Sequence, residues 1–274
     1  MQPNIDELLE YAERHVRFPH SALEIAQLAQ SANCANQDIA EVIEQDPAFT
    51  AQLLRVVNSP AYRTRESVGS VADAIFRVGR KEIAELAFVI SSDDAFSPIE
   101  SDLMQATTFW SHSVITAQIA VVLADYVDLK SDNLFAAALL HDIGFFLLCR
   151  THTASMTEVL ELTLDQELEL FSAERSVLGF SHAELGAALV RHWGLPEDIA
   201  SAIQYHSAPE ICENHRATAE CVGLANELAL ADECNESVGD HIVSRFISYF
   251  GVSELPLDDL LQQAKDKTQR QHSA

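Results

Sequence analysis

The sequence predicts an all-α protein built as two helical lobes, and three observations carry that fold class. Apolar residues recur at three- and four-residue spacing along nearly the whole chain, the signature of helices with one buried face. No segment alternates apolar and polar residues as a half-buried strand does. Only 9 of the 274 residues are glycine, against a usual share of about 7%, too few for a strand-and-turn fold.

The first helix is set by Ile5, Leu8, Leu9, Ala12 and Val16. Asn4 can cap it, with Glu7 three residues on completing a capping box. Further helices fit residues 22–32 and 36–44. Asp46-Pro47 opens one over 48–57, because proline suits a first helical turn, and Asn58-Ser59-Pro60 stops it. Residues 70–78 and 80–90 read as a helix pair broken at Gly79. Ser91-Ser92-Asp93-Asp94 and Ser97-Pro98 then form a polar stretch containing a breaker, which puts the lobe boundary between 1–95 and 96–274.

The second lobe opens on a long apolar-periodic helix over 103–127. Residues 132–149 follow as one helix whose first part is too apolar for a surface position, so it is expected at the centre. Helices over 166–177, 182–193, 196–205, 217–231, 238–250 and 257–265 complete the lobe, with Gly194-Leu195-Pro196 separating two of them. From Lys267 the chain reads as a frayed polar tail. There is no tandem repeat or low-complexity tract.

Charge narrows the function classes. Seventeen Lys and Arg against 42 Asp and Glu give a net charge of -25 and a pI near 4.6. A protein that grips a phosphate backbone needs a basic face, so no nucleic-acid partner is expected. An anionic membrane surface is disfavoured for the same reason. No apolar run is expected to reach the ~18 residues of a membrane span, the best candidate, 135–149, being interrupted by His141-Asp142. The amino terminus lacks a basic region followed by an apolar one, so no signal peptide is expected. Cys34, Cys149, Cys212, Cys221 and Cys234 are odd in number and form no CxxC pair, which argues against a disulfide framework or a cysteine zinc site and for a reducing cytoplasm.

The chemistry-bearing residues are histidines and one aspartate. His141-Asp142 follows Ala136-Ala137-Ala138-Leu139-Leu140, and a carboxylate buried in such a setting needs a cation, a donor or a metal. His112 sits in the preceding long helix after Phe109-Trp110, His182 opens a later helix, and His206 closes the next one. One aspartate and several imidazoles on separate helices have the donors for a nitrogen and oxygen site for zinc, manganese or iron; the alternative is a structural hydrogen-bond centre, which buried histidine–aspartate pairs also form. His15, His20, His152, His192, His215, His241 and His272 read as capping or surface residues, and Trp110 and Trp193 as core. The acidic run Glu158, Glu161, Asp165, Glu167, Glu169 and Glu174 reads as a solvated face, and Tyr62-Arg63-Thr64-Arg65 as a small basic surface spot. Phosphate-loop, dinucleotide-loop, nucleophile-elbow and HExxH motifs are absent from the sequence.

In order, His112, His141-Asp142, His182 and His206 match the HD superfamily, which residues 100–230 resemble. Over 15–230 the chain resembles more closely the HDOD family (HD-related output domain), a regulatory branch found in bacterial signalling. Asp46-Pro47-Ala48-Phe49, Leu53-Leu54-Arg55-Val56-Val57-Asn58-Ser59 and Ala74-Ile75-Phe76-Arg77-Val78-Gly79 carry that likeness in the first half. Phe180-Ser181-His182-Ala183-Glu184-Leu185-Gly186, Trp193-Gly194-Leu195-Pro196 and Tyr205-His206 carry it in the second. The resemblance implies an HD-like helical core for the second lobe and metal ligands at His112, His141, Asp142, His182, His206 and Asn226.

Three positions depart from the catalytic relatives. Asn226 stands where they place a last aspartate, Phe145 where many carry lysine, and Ser207 where the cyclic-dinucleotide phosphodiesterases of the HD-GYP branch carry a second histidine. The resemblance therefore implies a cytoplasmic, non-catalytic signal-transduction module that binds a signalling protein or small ligand. The alternative is a metal-dependent phosphohydrolase acting on a nucleotide or other phosphoester. With Asp142 as sole carboxylate ligand, at most one divalent metal is expected, weakly held, and the donor set suits zinc, iron, nickel or manganese. The sequence specifies no oligomeric state.

Overall fold

The computed structural model describes residues 3–16, 20–31, 33–60, 62, 67–96, 103, 105–166 and 168–272. Among them it contains helices and short turns but no strand. The chain groups into two compact units, residues 1–16 with 97–261 and residues 17–96 with 262–274.

The smaller unit is built from α2 (His20–Gln30), α3 (Asn36–Glu44), α4 (Pro47–Val57), α5 (Val71–Val78) and α6 (Arg80–Phe96). Ile25, Ile39, Ile43, Leu53, Ile75, Ile83 and Leu86 close its core. The sequence signatures of this half have local physical roles. Asp46 caps α4, its Oδ1 accepting from Ala48 N at 2.9 Å and Phe49 N at 3.1 Å. Asn58 ends α4 and ties the returning chain to it, donating to Leu54 O at 2.8 Å and Val68 O at 2.9 Å while accepting from Val68 N at 2.7 Å. Helix α6 runs through Ser91-Ser92-Asp93-Asp94 to Phe96 instead of breaking there. Serine and aspartate cost only a few tenths of a kcal/mol each in a helix, about a fifth of what proline costs, and the proline comes later, at Pro98. Residues 97–101 of that stretch, and Arg63-Thr64-Arg65, lie outside the described residues.

The larger unit opens with α1 (Ile5–His15), capped by Asn4, whose Oδ1 accepts from Asp6 N at 3.0 Å. No capping box with Glu7 forms. The unit continues through α7 (Ala106–Tyr126), α8 (Leu134–Leu139), α9 (Ile143–Thr151), α10 (Thr153–Gln166), α11 (Leu170–Leu178), α12 (His182–His192), α13 (Glu197–Tyr205), a 3₁₀ turn (Pro209–Ile211), α14 (Arg216–Cys234) and α15 (Asp240–Phe250). Helices α7 and α14 pack along each other, and α12 packs against α9 and α13. Helix α1 groups here because it buries Leu8 and Ala12 against α12, and Arg150 Nε of α9 donates to Tyr11 Oη at 2.8 Å. Helix α16 (Leu257–His272) carries the chain past Lys267, where the sequence suggests a frayed tail.

Three further expectations need correction. Residues 153–165, given no element from sequence, form α10 together with Gln166, which was expected to open the next helix. The single helix expected over 132–149 is two, α8 and α9, separated by a turn at Leu140-His141-Asp142. The His141 ring makes that break: its Nδ1 donates to Ala138 O at 2.8 Å, the carbonyl that the Asp142 N–H would take in a continued helix. Two stretches, α7 and Leu134–Thr151, are long and apolar enough to cross a membrane by length and composition, although most of each is buried inside the fold. Helices apolar on all sides also form the centre of a packed domain.

Glycine sets the closest helix approaches. A Cβ on Gly144 of α9 would overlap the His182 carbonyl oxygen, and one on Gly223 of α14 would overlap that of His206. These two contacts draw together the segments that carry the site residues.

Candidate metal centre

Side chains from α7, the α8–α9 turn, the start of α12, the end of α13 and α14 converge around Asp142. His112, His141, His182 and His206 are all buried. Their rings are held alike, through Nδ1. His141 and His206 donate from Nδ1 to backbone carbonyls, Ala138 O and Ile203 O, each at 2.8 Å. His112 donates to Glu233 Oε1 at 3.0 Å. His182 donates to Glu174, at 2.7 Å to Oε1 and 2.9 Å to Oε2. A carbonyl or carboxylate oxygen only accepts, so these bonds fix the proton on Nδ1 and leave Nε2 to the site.

All four Nε2 atoms face Asp142, whose two oxygens divide them. Oδ2 lies 3.2 Å from His141 and 4.0 Å from His112. Oδ1 lies 3.3 Å from His182 and 3.9 Å from His206. Asn226 Oδ1 adds an oxygen 3.0 Å from His112 Nε2 and 3.2 Å from His141 Nε2. Two triads result, His112-His141-Asp142 and Asp142-His182-His206, with the ligand atoms of each within 4.8 Å of one another.

This arrangement fits a cation. Neutral imidazoles with Nδ1 protonated would point Nε2 lone pairs at carboxylate and amide oxygens, an array dominated by acceptors, with the Thr116 hydroxyl at 3.5 Å from His112 Nε2 as a long donor. The buried His182 Nε2 lies 3.3 Å from Asp142 Oδ1 but makes no well-aligned hydrogen bond, an arrangement that a metal ion or a proton resolves. Nitrogen and oxygen donors in this mixture suit a divalent transition metal.

Without a metal, protons take the role unequally. Burial alone would lower the His182 pKa, but Glu174 and Asp142 outweigh it and push the value up to about 10. His141 is likewise raised, the Asp142 carboxylate overcoming burial. His206 falls to about 3, through burial and then the neighbouring His141 charge. Burial would raise the Asp142 carboxyl, yet His141 and His182 hold it well below the usual carboxylate range.

The centre forms the floor of a cavity of about 920 Å³, whose wall includes Phe145, Phe171, Glu169, Glu210, Glu227 and Arg245. Phe145 meets His182 edge-on at 5.6 Å, and Phe171 packs 4.7 Å from His182 and 5.7 Å from His206. Ser207 and Asn226 line the same space. Arg245 is engaged, its Nε donating to the fully buried Glu220 at 3.0 Å and its Nη1 lying 3.5 Å from Glu210.

All six residues proposed as ligands therefore converge around Asp142, five of them lining the cavity and His141 fully buried beside them. The sequence reading missed the groups behind them. Glu174, assigned to a solvated face, is wholly buried, and its carboxylate also accepts from the His182 backbone N–H at 3.0 Å. The signal was available: Glu174 is four residues from both Leu170 and Leu178 and three from Phe171, on the inward face of α11. Glu233 went unread, and His241, exposed as expected, also lines the cavity. Trp110 is buried as expected, whereas Trp193 is only partly so.

The family model described as the HDOD domain matches residues 16–209 of this chain. A curated relative from Treponema pallidum (strain Nichols), named an uncharacterized protein, is 23% identical over 240 residues, 86% of this chain. The chain spans 46% of that relative's length. Among solved structures, an HDOD domain protein of unknown function from Geobacter sulfurreducens is 24% identical with a TM-score of 0.72, covering 94% of this chain and 87% of its own. A candidate phosphohydrolase from Shewanella amazonensis SB2B is 20% identical at a TM-score of 0.72, covering 96% and 97%. A candidate signal transduction protein from Marinobacter aquaeolei VT8 is 23% identical at 0.74, covering all of this chain and 60% of its own. These likenesses establish the fold.

Proposed function

The chain belongs to the HDOD family, and from that premise we propose that it is a regulatory signal-transduction module, one that keeps a divalent-metal centre yet does not turn over phosphoesters. Its partner is a signalling protein or small ligand in the bacterial cytoplasm; nucleic acid and anionic membrane are disfavoured by the net charge of -25.

One observation carries the non-catalytic reading: the cavity wall beside the metal centre offers a developing phosphoryl charge no free cation among the described residues. Phe145 packs on His182 where many catalytic relatives carry lysine, and Arg245 is already paired with Glu220 and Glu210. Four carboxylates, Glu169, Glu210, Glu227 and Glu233, line the remainder and would repel a phosphate group.

His112, His141, Asp142, His182, His206 and Asn226 are the residues that would hold the metal, with zinc, iron, nickel or manganese compatible with their donors. When bound, such an ion supplies Lewis acidity and an acidified water. The chain's own residues aim the Nε2 atoms, pack Phe145 and Phe171 against the His182 ring, and keep His206 unprotonated for binding. A second reading, metal-dependent phosphohydrolase, draws on the two triads that meet at Asp142.

Elemental analysis of protein purified without chelator, with a manganese- or magnesium-supplemented screen over nucleotides and a chromogenic phosphodiester, separates the two. Bound metal with little turnover is the expected result. Robust turnover that disappears in His141→Ala would transfer the assignment to the phosphohydrolase.

A further inference from the structure

Glu174 is a buried carboxylate in a chain that is already strongly acidic. Its side chain is 0% exposed, and every described hydrogen bond it makes goes to His182, through the ring Nδ1 and the backbone N–H. A buried carboxylate costs several kcal/mol unless a cation compensates it. It occupies the inward face of α11, with Phe171 of the same turn against the His182 ring. Glu233 stands behind His112 in the same way, but with its side chain 43% exposed. One histidine in each triad is thus backed by a carboxylate, and the other by a backbone carbonyl.

We propose that Glu174 is the positioning residue of this centre, fixing the Nδ1 proton of His182 and supplying, from behind the ligand, the negative charge that Asn226 does not bring. Counting only Asp142 gives a poorly compensated site for a single ion. Counting Glu174, and more weakly the solvent-screened Glu233, gives charge to both triads. The inference rests on the metal-centre reading above and assigns the charge of that centre to a residue outside its ligands. Carboxylates placed behind ligating histidines raise ligand basicity and fix ring orientation, and their loss lowers metal affinity by about 10–100-fold.

The test is zinc affinity of the full chain, measured by competition with a chelating dye for the wild type, Glu174→Gln, Glu233→Gln, His182→Ala and the Glu174→Gln/His182→Ala double variant. Glutamine keeps the size and an acceptor oxygen while removing the charge. Expected results are a 10–100-fold loss for Glu174→Gln, a smaller loss for Glu233→Gln, and no further loss from Glu174→Gln once His182 is gone. Equal affinity of wild type and Glu174→Gln overturns the proposal and leaves the metal reading standing. A loss of the same size in the His182→Ala background also overturns it, because Glu174 would then act on the fold at large.

Failure of the wild type to bind zinc overturns the metal reading, and with it the charge role. The positioning role is decided separately by NMR of the metal-free chain. A downfield, slowly exchanging His182 Nδ1–H resonance is expected in the wild type and lost in Glu174→Ala; its absence from the wild type refutes the positioning role.

Discussion

Gly144 and His182 touch across two helices: the hydrogen of the glycine stands where any Cβ would enter the His182 carbonyl oxygen. The contact sets the distance between the turn that carries Asp142 and the start of α12, and so the 3.3 Å separation of Asp142 Oδ1 from His182 Nε2. Gly144→Ala should push α9 and α12 apart. Overpacking of this kind costs about 1–3 kcal/mol, which at this domain size lowers Tm by about 2–4 °C per kcal/mol. Thermal melts of the metal-free protein give the stability change, and zinc affinity should fall with it. Gly223→Ala, against the His206 carbonyl, should behave alike.

The metal-free protein should be most stable near pH 6.5. The folded His182 value of about 10 lies above the ordinary 6.5, so its contribution is complete below pH 6.5 and fades as pH rises through about 10. The folded His206 value of about 3 lies below 6.5, so its contribution is complete above pH 6.5 and fades as pH falls toward 3. Denaturant midpoints from pH 4 to 10, in the presence of chelator, should trace a maximum between these limbs. A profile flat between pH 6.5 and 10 would contradict the charge assigned to His182.

Asn226→Asp should tighten metal binding. The new carboxylate would replace the amide oxygen that lies 3.0 Å and 3.2 Å from the Nε2 atoms of His112 and His141. At least about tenfold is expected, the lower end of what a supporting group contributes. Zinc titration followed by Tm reads the difference, since a ligand that binds only the folded state raises stability with its affinity. Identical curves for variant and wild type would remove Asn226 from the ligand set.

Asn58→Ala should destabilise the smaller unit without affecting the metal centre. It deletes four side-chain bonds, to Leu54 O, Val68 O, Val68 N and Ser67 Oγ, and strips the part-buried Val68 N–H and C=O of these partners at a cost of about 1–3 kcal/mol. Chemical denaturation should show the loss, while zinc affinity stays at the wild-type value. A drop in zinc affinity would mean that the two units are energetically coupled.

The helices were legible where the chain marks their ends with side-chain chemistry. Asn4, read as a cap, and Asp46, read with Pro47 as an opening, both accept from the first turns of their helices, as do Ser70 and Ser181, which were not read as caps. The break at Leu140-His141-Asp142 carried no such mark, because an imidazole made it and no glycine or proline was present. Ser91-Asp94 misled in the opposite direction, being polar enough for a loop yet tolerated in α6. The ligands themselves could be read from motif order. Glu174 could not, since charge composition placed it in an acidic run, and only its helical register with Leu170 and Leu178 shows that it turns inward.

The centre is drawn from distant parts of the chain. His112 reaches Glu233 across 121 residues and Asn226 across 114, and His141 reaches Asn226 across 85. Such long loops must close before the ligands meet, so the cluster is expected to assemble late in folding. Interactions absent from the folding transition state slow unfolding while leaving the folding rate nearly unchanged. An ion captured here would therefore act on lifetime: the native chain would persist longer before opening to a protease, and would refold after denaturation no faster than the metal-free form.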